Sequence, residues 1–203
     1  MNSNDWDVRY EAATNIWSLT PNQFVVEYLG HLEPGSMIDL AGGEGRNALW
    51  FATRGWQVEN SDFSGVALEK FTTRAKEEGL ETACFATQVD ATAPTTFALS
   101  PVDLGIIIYL QIDALGLAQA INSLCKNIKP GGTFFGVWHA RENLNEGFGG
   151  PRDLDVLPTQ DELRQALTNE NLADFKVELK VREVSDGEIT RQAIDVIAIG
   201  TKL

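Results

Sequence analysis

The stretch MIDLAGGEGRNALWFATRGWQVENSDFS, residues 37–64, decides how the chain is read. A short apolar run ends at Asp39 and Leu40, three glycines follow at Gly42, Gly43 and Gly45, and a second run ends at Asp62. SMIDL reads as a strand, RNALWFATRG as a helix stopped at Gly55, and WQVENSD as a second strand, which together make a strand–helix–strand unit. In an open parallel sheet, ligands sit outside the carboxyl ends of the strands, so Asp39 to Asn47 and Asp62 are expected to face one crevice. Glycines let the main chain approach a ligand closely, and the helix that follows turns free N–H groups toward it.

Outward from this unit the alternation continues. TPNQFVVEYLG is expected to be a helix with Thr20 as N-cap, Pro21 at its first position, Gln23 closing a capping box, and an end at Gly30. SGVALEKFTTRAKEEG reads as an amphipathic helix stopped at Gly79, ETACFATQV and VDLGIIIYL as strands, and LGLAQAINSLCKNIK as a helix ended by Pro130-Gly131-Gly132. VDLGIIIYL is nearly continuous in apolar residues, as in a parallel strand covered on both faces. TFFGVWH is then the fifth strand. LPTQDELRQAL is a helix opened by Thr159 with Glu162 in capping-box position, and FKVELKVREV and EITRQAIDVIAIGT flank the turn signal Asp186-Gly187. The pattern predicts an α/β fold: a doubly wound, mostly parallel seven-stranded sheet with helices on both faces and a C-terminal antiparallel hairpin.

Composition narrows the partners. The chain has 203 residues, 16 basic against 29 acidic, and a net charge of −13, which repels a phosphate backbone and argues against nucleic acid. The N-terminus lacks an apolar leader-like stretch, and the longest apolar run, around residues 104–110, is too short to span a bilayer, so the expectation is a cytoplasmic protein without membrane contact. Cys84 and Cys125 lie in apolar surroundings without ligand spacing and read as free thiols. With His31 and His139 as the only histidines, no metal centre is expected.

Two ligand classes suit the glycine loop. GEGRNA, residues 43–48, matches the G-x-G-x-x-G/A pattern of dinucleotide enzymes, which would make the protein an NAD(P)-dependent oxidoreductase, but that pattern alone is weak. It leaves Asp39 unexplained. An adenosyl amino acid would use that acid for its cationic ammonium, Asp62 for two ribose hydroxyls, and Asp90, which closes the third strand, for the adenine amino group, since an ionised carboxylate carries only acceptors; the alternatives are an Asx-turn in DATAP for Asp90 and the N-cap of the next helix for Asp62, a role that Ser64 can fill.

At these residues the sequence resembles the class I S-adenosylmethionine-dependent methyltransferases. Asp39 to Gly45 looks like their first motif, Asp62 like their ribose-binding acid, Asp90 like their adenine-side acid, and IKPGGTFFGV like their turn into the fifth strand. WDVRY, GEGRNALWFATRGW, DFSGVALEK, GFGGPRDLDVLPT and RQAID are similar to bacterial small-molecule methyltransferases of the tellurite-resistance and thiopurine methyltransferase branch. The resemblance implies S-adenosyl-L-methionine as cofactor, held by Asp39, Ala41, Gly42, Gly43, Gly45, Asn47, Asp62, Phe63, Asp90 and Ala91, and methyl transfer to a small-molecule acceptor by in-line displacement. Two departures keep a non-catalytic cofactor-binding homologue open. Ala41 replaces a family glycine, with Gly42 as the residue that would absorb the turn instead, and VENSD is more polar than the family's second strand.

The acceptor side is expected at the strand ends. His139 closes the fifth strand and is the candidate catalytic base, with a hydrogen-bonded structural histidine as the alternative. Arg9, Tyr10, Trp17, Arg46, Tyr109 and Arg191 are the other acceptor-side candidates. Arg9 and Tyr10 have packing as their alternative role, and so do Trp6 and Trp17. Arg191 and Asp195 are spaced to one face of the last strand, where a mutual salt bridge or edge-strand charge is expected. The glycine-rich stretch NLNEGFGGPRD, residues 143–153, is long for a connection and reads as a substrate cover or a plain surface loop. The expected organisation is one methyltransferase domain over 1–203: an N-terminal helical lid at 1–30, a cofactor-binding core at 36–140, and a substrate-side loop, helix and hairpin at 141–203. Sulfur, oxygen, nitrogen and metalloid acceptors all remain open, as do the use of a base and the oligomeric state.

Overall fold

The computed structural model of the chain describes residues 2–13, 15–16, 18–186 and 189–203. Seven strands form one sheet in the order β3-β2-β1-β4-β5-β7-β6. They are β1 Ser36–Leu40, β2 Gln57–Asp62, β3 Cys84–Gln88, β4 Val102–Ile108, β5 Ile128–His139, β6 Leu172–Asp186 and β7 Ile189–Lys202. β1 to β5 run parallel, and β7 enters antiparallel between β5 and β6. That order reverses at β1 and β4, so the carboxyl ends of β1, β2 and β4 frame one crevice. It shares the 3-2-1-4-5 run of dinucleotide enzymes and departs from their parallel sheet where the antiparallel β7 enters beside β5.

Helices cover both faces: α1 Ser3–Glu11, α2 Gln23–Leu29, α3 Arg46–Ala52, α4 Gly65–Glu77, α5 Ala114–Cys125, α6 Asn143–Glu146 and α7 Gln160–Thr168. On one face Met37, Val58, Leu104, Ile106 and Val137 pack with Phe24, Leu49, Phe51 and Phe71. On the other, Ile38, Leu40, Ile107, Phe134 and Trp138 pack with Leu117, Ile121, Leu124 and Leu163. Burying a large apolar side chain stabilises the fold by about 1.5–3 kcal/mol, and the strict alternation of the central strands divides that burial between two layers. Phe51 lies edge-on to both Trp50 and Trp56, which ties the end of α3 to the start of β2.

Several boundaries differ from expectation. α2 is capped by Asn22 rather than Thr20: Asn22 Oδ1 accepts from the Phe24 N–H, while its own N–H donates to Asn47 Oδ1. Asn22 lies two residues nearer the helix, its backbone is held by Asn47 of α3, and its carboxamide takes the cap. β5 starts at Ile128, so Pro130-Gly131-Gly132 lies inside the strand as a bend with Gly131 at φ +82. The 143–153 stretch is not plain loop, because it contains α6 and leads to a 3-10 turn at Leu154–Val156. It is tied to β7: the Ile194 N–H donates to Asn143 Oδ1, and the Phe148 N–H donates to the Gln192 carbonyl. α7 has the expected capping box between Thr159 and Glu162. β6 and β7 pair through Asp186 and Ile189, and the Gly187 of the expected hairpin turn lies outside the described residues.

Candidate active site

The glycine loop is built by its neighbours. After β1 the chain turns through Ala41 at φ +58, Gly43 at φ +56 and Gly45 at φ +74, while Gly42 stays outside the left-handed region. Ala41 therefore takes the turn that Gly42 was expected to absorb, at about 1–2 kcal/mol of strain. Gly42 is needed for a different reason. A Cβ there would meet Asn60 Oδ1 at 2.1 Å and Asp39 Cγ at 2.8 Å, so two polar side chains lie directly against its bare Cα. Asn60 Nδ2 donates to the Gly43 carbonyl at 2.8 Å and holds the loop against β2.

This accounts for the polar second strand. Glu59, fully buried, accepts from the Ala98 N–H at 3.0 Å, the Leu99 N–H at 2.8 Å and the Thr87 hydroxyl at 2.5 Å. Asn60 holds the glycine loop and Asp62 faces it. Each polar residue of VENSD except Ser61, whose hydroxyl has no partner, is thus committed to holding a neighbouring loop.

Asp62 is 5% exposed and points into the loop. Its Oδ2 accepts from the Gly43 N–H and its Oδ1 from the Ser64 N–H, both at 2.9 Å. Burial pushes its pKa up, and the Ser64, Gly43 and Phe63 N–H groups oppose that. Ser64 caps α4, as expected, with its hydroxyl accepting from the Ala67 N–H.

Asp39 is fully buried and has no hydrogen-bond partner in proper geometry for either carboxylate oxygen. Burial raises its pKa to about 7; the Arg46 guanidinium, the Asn47 amide and the Ala48 N–H lie close enough to oppose the shift without cancelling it. Arg46 is half-buried and donates to the Ser18 hydroxyl at 3.1 Å. Asn47 is buried, and its Oδ1 is spent on Asn22. An orphaned carboxylate beside bare main chain fits a cationic group bound at the loop, since a buried charge without a partner is costly.

The N-terminal segment covers this cradle. The Tyr10 hydroxyl would stand 2.6 Å from a Cβ on Gly43, and Asp7 accepts from the Ser64 hydroxyl at the start of α4. Lys70 of α4 donates to the Tyr10 and Ala13 carbonyls, each at 2.6 Å, and to Glu44 at 3.1 Å, and Glu44 in turn accepts from the Ile16 N–H. Tyr10 is buried; Arg9 is exposed and lies 4.6 Å from the Trp6 ring. Trp17 lies outside the described residues.

Not every expected residue converges here. Asp90 is exposed, and its Oδ1 accepts from the Thr92 N–H and hydroxyl in an Asx-turn, the ordinary use of an aspartate at a strand end. Ala91 packs in the core beneath it, and Phe63 is half-buried beside Asp62. The expected Arg191–Asp195 pair does not form. Four residues along a strand span roughly 13 Å, beyond ion-pair reach, so shared facing does not bring them together. Arg191 lies over the Phe148 ring at 4.6 Å, and Asp195 is fully buried elsewhere.

At the ends of β4 and β5 a second polar cluster forms. Tyr109, at φ +61, donates its hydroxyl to Asp195 Oδ2 at 2.8 Å and stacks on the His139 ring with centroids 4.7 Å apart. Burial pushes the Tyr109 pKa up, and the Asp195 charge adds to the shift. Arg182 Nε donates to the same oxygen at 2.5 Å, and His139 Nδ1 lies 3.0 Å from Asp195 Oδ1. A non-glycine residue in left-handed backbone at a crevice costs of order 1–3 kcal/mol and marks functional sites more often than ordinary turns. Asp195 and Arg182 were not among the expected acceptor-side residues. The signal available was an isolated acid within the apolar run AIDVIAI.

Among the described residues no helix is long and apolar enough to cross a membrane, and no cluster of metal-ligating side chains occurs. Cys84 and Cys125 are free, and burial raises their pKa values to about 11 and about 12.

Comparison with known proteins agrees with this geometry. Residues 37–132 match a family described as "Methyltransferase domain". No curated protein sequence matches the chain. Among solved structures, a protein described under conversion of a disulfide bond into a thioacetal group during echinomycin biosynthesis superposes with a TM-score of 0.75 at 16% identity, covering 98% of this chain and 92% of its own. TehB from Haemophilus influenzae gives 0.69 at 14% identity, covering 97% and 66%. A SAM-dependent methyltransferase from Methanosarcina mazei gives 0.68 at 18%, covering 91% and 99%. Residues 37–132 thus match the methyltransferase-domain family, and the chain as a whole has the fold of the methyltransferase structures on which it superposes.

Proposed function

We propose that the protein transfers a methyl group from S-adenosylmethionine to a small-molecule acceptor. The observation that carries this reading is Asp39: a buried carboxylate with no hydrogen-bond partner, set against glycine main chain at the switch point of the sheet. Its natural complement is the methionyl ammonium, with Arg46 and the first N–H groups of α3 beside it for the carboxylate. The ribose falls to Asp62, with Phe63 beside it, and the adenine to the loop after β3, where Asp90 Oδ2 takes no part in the Asx-turn and Ala91 packs beneath. Bound there, S-adenosylmethionine supplies its methyl group as a sulfonium electrophile. The protein's part is to align the acceptor with that carbon and exclude water.

The domain organisation follows the same division, with residues 1–30 as a lid, 36–140 holding the cofactor and 141–203 facing the acceptor. Tyr109, His139, Arg46, Arg9 and Tyr10 line or cover the acceptor side, and Arg191 borders it at the hairpin. A small acceptor suits a crevice roofed by a short helix, and the acidic surface disfavours nucleic acid. Free buried thiols accord with a cytoplasmic location.

Isothermal calorimetry with S-adenosylmethionine, followed by a screen of thiols, phenols, amines and oxyanions with a labelled methyl donor, tests the proposal. Binding heat together with label on any acceptor supports it. Binding without transfer supports a non-catalytic homologue, and absence of heat refutes the cofactor assignment.

A further inference from the structure

Four segments distant in sequence meet at one carboxylate. Asp195 on β7 receives Tyr109 from beyond β4 and Arg182 from β6 at Oδ2, and faces His139 of β5 at Oδ1. His139 and Asp195 are directly opposed across the β5–β7 ladder, so backbone register sets their separation. The two facing atoms, Nδ1 and Oδ1, are buried and 3.0 Å apart, off the line of a straight hydrogen bond, and neither has another partner. Arg182 by itself balances the charge of Asp195. The histidine is therefore not needed to neutralise the acid, yet it is stacked on Tyr109 and pressed from its other side by Gly150, where a Cβ would meet the ring at 2.9 Å.

In its neutral form an imidazole beside a carboxylate oxygen carries its proton on the nitrogen facing that oxygen. For His139 that nitrogen is Nδ1, which leaves Nε2 as a bare acceptor. Because Nδ1 is buried, the 14% exposure belongs to the other atoms of the side chain. The ring lies at the carboxyl end of β5, on the same rim as the glycine loop.

We propose that Asp195 is a positioning residue that fixes His139 as general base, and that the acceptor is accordingly an O–H or N–H nucleophile that loses a proton as it is methylated. This rests on the methyltransferase reading above. As the acceptor oxygen or nitrogen bonds to the methyl carbon, the carbon–sulfur bond breaks with its electron pair on sulfur. The acceptor's proton passes to His139 Nε2, and the imidazolium is held by Asp195 until the proton returns to water. A thiol arrives as thiolate and needs no such base. The charged or titratable groups around the ring are Asp195 from β7, Arg182 from β6 and Tyr109 from beyond β4, with Arg46 of α3 behind Tyr109.

The test has a readout independent of turnover. Nitrogen-15 NMR of the whole protein resolves two histidines, and His139→Gln assigns the signal. The expected state is Nδ1–H with Nε2 unprotonated. In Asp195→Asn the amide oxygen stays with Tyr109 and Arg182 and its NH2 turns toward Nδ1, so the tautomer flips to Nε2–H and the base is lost. Both substitutions lower methyl transfer to phenols or amines by roughly 10²–10⁴-fold, lower transfer to thiols far less, and remove the rise of rate with pH, while S-adenosylmethionine still binds in calorimetry. An Nε2–H tautomer in the wild type, a wild type that methylates thiols alone, or equal losses on thiols and phenols overturns the proposal. If Asp195→Asn does not fold, the wild-type tautomer and His139→Gln decide. A wild type that binds no S-adenosylmethionine refutes the methyltransferase reading instead, and the NMR result then reports on the Asp195–His139 pair alone.

Discussion

Replacing Asp39 with asparagine tests the electrostatics of the cradle directly. The folded chain holds the Asp39 proton to about pH 7, whereas the ordinary value is 3.8. At about 1.4 kcal/mol per unit, ionising Asp39 inside the fold costs on the order of 4 kcal/mol. The sign follows from the raised folded value. Below about pH 4 the acid is protonated in both states and costs nothing; the penalty grows through the interval and is complete above about pH 7. Asparagine has nearly the same shape and no charge at any pH. Asp39→Asn is therefore expected to melt with the wild type near pH 4 and well above it near pH 8. Between about pH 5 and pH 8 the gap should widen by roughly 3 kcal/mol, which in a chain of this size is about 6–12 °C. Calorimetry should show the opposite for ligand. Loss of a charged partner for the ammonium weakens S-adenosylmethionine binding by about ten- to a hundredfold, equivalent to the 1.5–3 kcal/mol of a charge-assisted hydrogen bond. Thermal melts across this pH range, with and without S-adenosylmethionine, decide the matter. A variant less stable than wild type at pH 8, or a gap independent of pH, would refute the reasoning, because Asp39 would then have to be ionised and paired within the chain.

Other outcomes follow from single contacts. Ala41→Gly relieves left-handed strain of about 1–2 kcal/mol and gives back about 0.5–1 in unfolded-chain freedom, so a small net stabilisation, of order 0.5–1 kcal/mol, should appear in chemical denaturation. Glu59→Gln keeps one acceptor oxygen but turns an NH2 group toward N–H or hydroxyl donors, and should lose about 2 kcal/mol by the same measurement. Lys70→Met strips the two carbonyls of the N-terminal segment and leaves Glu44 buried without its cation. Limited chymotrypsin digestion should then cut near Tyr10 faster, while the digestion of β4 and β5 stays as it was.

The layers of this fold were legible because they depend on periodicity. The continuous apolar run of β4 and the capping box of α7 each carry their own local signal, and each lies where that signal places it. The glycine loop was legible as a motif, but its internal mechanics were not. That Ala41 rather than Gly42 takes the left-handed turn depends on Asn60 and Asp39 lying against Gly42, a contact between strands that no local pattern records. The same limit explains Asp195. A spacing of four on a strand fixes the facing of Arg191 and Asp195 but not the partners of Asp195, which come from β5, β6 and the residue after β4. Asp90 shows the converse, since the Asx-turn that its Thr92 bonds form is signalled locally by DATAP itself.

On the proposed function, the sheet order separates two chemistries along the chain. Asp39, the glycine loop and Asp62 come from β1, β2 and the turns after them, within residues 37–132, while Asp195 and Arg182 come from the closing hairpin. The two halves touch through His139 and Tyr109 at the tips of β5 and β4. Selection can thus rewrite the hairpin to suit a new nucleophile while the donor half stays intact, so kinship judged on the first half of such chains reports the donor and is nearly silent about the recipient.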